Sequence, residues 1–105
     1  MIYTTTETIP GKEIEAVLGI VNGNVVQSKH IGRDIMAGLK GIVGGELKGY
    51  TEMLMEARNI AVERLIEDAV KLNADAIVGI RFTTSSVTDG ASEILVFGTA
   101  VKLRT

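Results

Sequence analysis

From about Leu47 to Leu72 apolar side chains return every three or four positions with no interrupting proline, which predicts one long helix. Tyr50, Leu54, Ala57, Ala61, Leu65 and Leu72 share its main face, flanked by Met53 and Ile60. Glu52, Glu56, Asn59, Glu63 and Glu67 take the opposite face. Met55, Val62 and Ile66 add a second apolar ridge, making the apolar arc about twice the roughly 100° stripe that covers one sheet. The helix is therefore expected to bury two surfaces, the second ridge at or near a contact with another copy. Asn73 follows the last apolar position and suits a left-handed C-cap. Upstream, Ile31, Ile35 and Leu39 lie four apart and predict a short helix, broken by Gly41, Gly44 and Gly45.

Elsewhere the period is two. Ile2 to Thr6 is a short β-prone stretch ended by Pro10-Gly11. Residues 15–28 are rich in β-branched side chains around Asn22-Gly23, a strong hairpin signal. Two short strands turning there, or one long strand with a bulge, fit equally well. Residues 76–87 and 93–104 read as two further strands joined by a turn at 88–92. In the last strand Leu95, Phe97, Val101 and Leu103 alternate onto one face and Ile94, Val96, Gly98 and Ala100 onto the other, so both faces are apolar. The order predicts an α+β domain spanning residues 1–105, an antiparallel sheet with one long and one short helix packed on one side.

Composition narrows the function classes. Apolar residues make up 46% of the chain while aromatics make up 4%, a richness in aliphatic side chains that suits a homo-oligomer better than a monomer. The absence of cysteine excludes disulfides, thiolate metal sites and cysteine nucleophiles. The net charge of −2, with signs interspersed, lacks the basic footprint of a nucleic-acid binder. No apolar run is long enough to span a bilayer and the N-terminal residues do not read as a signal peptide, so a cytoplasmic location is expected.

Motifs for catalysis are missing. The spacing of Gly44 and Gly49 resembles a P-loop, but Tyr50 stands where the phosphate-reaching lysine belongs. His30, the single histidine, has no nucleophile elbow to serve and reads as a surface or packed residue. The glutamates of the long helix read as a solvated face. Arg64 and Asp68 are four apart and expected to pair with each other. Arg33, Asp34, the Gly44-Gly45 turn and Arg58 are least explained by packing. Guanidinium forks and a glycine turn suit a small anionic ligand, and the competing reading is a structural Arg58–Asp34 ion pair.

Several blocks together resemble a known family. They are Ile31-x-Arg33-Asp34-x-x-Ala37-Gly38, Ile42-Val43-Gly44-Gly45, Gly49-Tyr50 with Leu54, Ala57-Arg58 and Ala61, then 74–80 (ADAIVGI) and 98–101 (GTAV). The chain is similar to the YbjQ-like proteins, small proteins of uncharacterised function that carry a heavy-metal-binding label. Gly41 and Asn73 depart from residues common in relatives. The resemblance implies an α+β subunit of a symmetric ring, a pentamer, and no established activity. One histidine and no cysteine give soft metals little to bind, so neither a metal nor a cofactor is expected. The resulting expectation is a non-enzymatic homo-oligomeric module that holds a small anionic ligand at or near subunit interfaces. A metal-binding protein and an enzyme whose site is completed between subunits are the alternatives.

Overall fold

The computed structural model describes residues 1–28, 48–88 and 91–105. The predicted short helix near 31–39 lies outside them. The described elements are β1 (Ile2–Tyr3), β2 (Ile14–Ser28), α1 (Lys48–Lys71), β3 (Ala76–Thr88) and β4 (Ala91–Leu103). The strands form one sheet in the order β1-β3-β4-β2. β4 pairs antiparallel with both β2 and β3. β1 runs parallel to β3, pairing Ile2 with Ala76 and Tyr3 with Ile77. The sheet is thus mixed, which corrects the purely antiparallel expectation, and among the described residues a single helix packs on it.

The Asn22-Gly23 signal does not mark a turn. β2 runs through it without interruption, and its irregularities lie between Ile14 and Ala16 and between Val17 and Gly19. Of the two open readings, the long strand is the right one, with its irregularity upstream. Gly23 serves a different purpose: a Cβ there would run into the backbone of Ala61 and Leu65. Glycine lets the helix lie directly on the strand.

Ala57, Ala61, Leu65 and Ala69 of α1 are fully buried against Val21, Val25, Ile77, Ile80, Ile94, Val96 and Ala100. Small residues on the helix match the close approach at Gly23. The helix ends as its sequence predicts: Asn73 has φ 58°, and the Asn73 and Ala74 N–H groups donate to the carbonyls of Val70 and Ala69.

Cross-strand register sorts the rest. Val21, Gly23 and Val25 lie beside Gly98, Val96 and Ile94 beneath the helix. Ile20, Asn22, Asn24 and Val26 share the opposite face with Thr99, Phe97, Leu95 and Glu93. One end of that face is covered, where Ile9 and Ile14 pack on Ala76, Val78 and Val101. Beyond it no described element packs on the face: Ile20 is 79% exposed and Phe97 37%.

Candidate functional site

The position of α1 leaves a concavity beside it. Arg64 Nη1 donates to the Asn24 carbonyl at 2.6 Å, and the Asn22 N–H donates to Asp68 Oδ2 at 3.1 Å. Both partners are backbone groups of β2, the strand at one edge of the sheet. Among the described residues no ion pair joins Arg64 to Asp68. The expected mutual pairing is therefore corrected: the two side chains satisfy open polar groups of an edge strand, where their hydrogen bonds hold the helix.

Fastened to β2 in this way, α1 packs chiefly over β2 and β4 and barely reaches β3. A groove of about 540 Å³ remains between helix and β3, lined by Met55, Arg58, Asn59, Val62 and Phe82. A second hollow of about 220 Å³ shares Val62 and Phe82 with it and continues to Tyr3, Thr4, Thr5 and Ile80. Its far wall is built by a bulge in β3. Gly79 adopts φ 63°, and the Gly79 and Ile80 N–H groups turn to the carbonyls of Thr6 and Thr4 at 2.8 and 3.1 Å. Arg81 Nη1 donates to the Thr5 carbonyl at 2.9 Å and fixes the same segment.

Of the residues singled out from the sequence, Arg58 lies in the groove. Its Nε donates to the Leu54 carbonyl at 3.4 Å, and among the described residues no carboxylate forms an ion pair with it. Arg33, Asp34, Gly44 and Gly45 lie outside the described residues, as does His30. Met55 and Val62 from the second apolar ridge line the groove, whereas Ile66 packs against the core of its own chain. Asn59, Phe82 and Tyr3 were not anticipated. Aromatic scarcity was the available signal, since aromatics make up 4% of the chain and Tyr3, Phe82 and Phe97 stay substantially exposed.

At the other end of the sheet Asp75 ties two strands. Its Oδ2 accepts the Leu103 N–H at 2.8 Å and its Oδ1 lies 3.3 Å from Lys102 Nζ. The Leu103 hydrogen bond above all, with help from Lys102 and against desolvation, holds the carboxyl below its ordinary range.

The fold and groove define a class: a small α+β domain in which, among the described residues, one helix sits off-centre on a mixed sheet beside a concavity. The YbjQ family model, described as "Putative heavy-metal-binding", matches residues 1–104. Curated relatives named UPF0145 protein include one from Vibrio campbellii, 75% identical over 98% of this chain and 99% of its own. Another, from Thermotoga maritima, is 60% identical over 98% of this chain and 97% of its own. This chain belongs to the YbjQ-like (UPF0145) family. A crystal structure of a protein of unknown function in the DUF74 family, from Pediococcus pentosaceus, superposes with TM-score 0.65 at 18% identity, covering 99% of this chain and 98% of that one. That likeness establishes the shared fold.

The heavy-metal description does not fit the donor set. Among the described residues no three of His, Cys, Asp and Glu converge. The described groove wall contributes no carboxylate, imidazole or thiolate. Soft metals need ligands of the last two kinds.

Proposed function

We propose that this protein is a non-enzymatic homo-oligomeric module that holds a small anionic ligand at or near the contact between subunits. The observation that carries the assembly is the bare face of the sheet. Val17 and Ile20 are 69% and 79% exposed, and Val26 and Phe97 extend the same apolar surface along the strands. A sheet face of this kind is stabilised by burial against another layer. The dimensions agree. The principal extents are 54 × 28 × 17 Å and the radius of gyration is 16.9 Å, against about 13 Å for a compact domain of this length. So long and thin a subunit keeps much apolar surface in water until a second copy covers it. A ring of five, which the resemblance implies, is the specific form proposed.

Ligand binding is supported by Arg58 beside the groove. A guanidinium with no acidic partner among the described residues is matched to an anion. The assembly is tested by light scattering on the wild type and Ile20→Glu. The wild type should scatter as one oligomer, and the variant should dissociate, because burying an unpaired carboxylate costs several kcal/mol. A wild-type monomer at micromolar concentration refutes the reading.

A further inference from the structure

The groove beside Arg58 has a composition that narrows what it can hold. Among the described lining residues of the groove and the second hollow Arg58 alone carries charge, and it lines the groove only. With Nε turned to the Leu54 carbonyl, the two Nη groups retain their donors. Asn59, the next residue, adds an amide to the same wall. Away from this polar end the wall changes character. Val62 lies one turn further along the helix, about 6 Å up its axis, and with Phe82, Ile80 and Tyr3 it leads an apolar path into the second hollow. Inorganic phosphate or another small polyanion would place its charge against one cation and leave the rest of the groove unused.

Resting on the reading that the site binds an anion, we infer that its ligand is an amphipathic monocarboxylate. The single negative head pairs with Arg58 as a bidentate carboxylate, and an apolar body lies along Val62 and Phe82 toward Tyr3 and Ile80. Burial of that body, which a free carboxylate lacks, supplies most of the affinity.

Octanoate is the probe, with acetate (head alone), 1-octanol (body alone) and inorganic phosphate for comparison. Each is titrated into the full chain in its native assembly and followed by amide NMR at Thr4, Val62 and Phe82. Octanoate should bind at least tenfold more tightly than any of the other three. Arg58→Met, which keeps the apolar stem, should weaken octanoate about tenfold, as expected for one charge-assisted pair, and leave 1-octanol unchanged. Phe82→Ala should weaken both. If acetate and phosphate bind as well as octanoate, the amphipathic assignment fails while the anion-binding reading stands. If 1-octanol equals octanoate and Arg58→Met is silent, both fail. Absence of shifts with all four probes likewise removes both.

Discussion

Gly23 shows how much one side chain's absence can decide. The hydrogen-bonded edge of β2 and the small face of α1 meet there at backbone distance, and a Cβ has no room. Gly23→Ala should therefore destabilise the fold by about 2 kcal/mol or more, the scale of overpacking a tight contact. Chemical denaturation measures this, and a loss within experimental scatter would mean that the helix sits further from the strand. Asp75 gives a prediction in pH. Its folded pKa is lowered, so the stability it contributes is present above the ordinary value and is lost as pH falls through the folded one. Between about pH 5 and pH 2 the wild type should lose more stability than Asp75→Asn, which cannot titrate. Parallel losses in the two proteins would rule out this role for Asp75.

Arg64 and Asp68 belong to the scale of elements, because they set where the helix lies. Each binds a different backbone group of β2. Arg64→Ala and Asp68→Ala should each cost about 1 kcal/mol. Their effects should add, with coupling under about 0.5 kcal/mol in a double-mutant cycle, since independent contacts are additive. Strong coupling would restore the ion pair that helical spacing suggests. The spacing reads correctly that both residues lie on one side of α1. It does not reveal a competing acceptor from a strand some forty residues away. The same limit explains Asn22-Gly23, whose turn chemistry is genuine but whose glycine is required by a helix distant in sequence. The long helix and its Asn73 cap were legible because periodicity and capping are local. So were the alternating faces of β4.

At the scale of the whole molecule, the α+β class followed from element order, whereas the parallel β1–β3 pairing did not. β1 has two residues, too few to carry a pattern, and its direction is fixed by contacts to the bulge at Gly79. The groove was less legible still. Arg58 stood out as a charge within an apolar arc, but Phe82 joins it, and Tyr3 the adjoining hollow, because α1 is drawn toward β2 and barely reaches β3. The proposed assembly rests on the same asymmetry. Among the described residues one helix covers part of one face of a long sheet, and the exposed aliphatic side chains are what a homo-oligomer would bury. A native mass spectrum of the full wild-type chain tests this most directly. A single dominant species is expected at an integer multiple of the 11.2 kDa chain, five copies for the ring. A spectrum dominated by the 11.2 kDa monomer at micromolar concentration would contradict it.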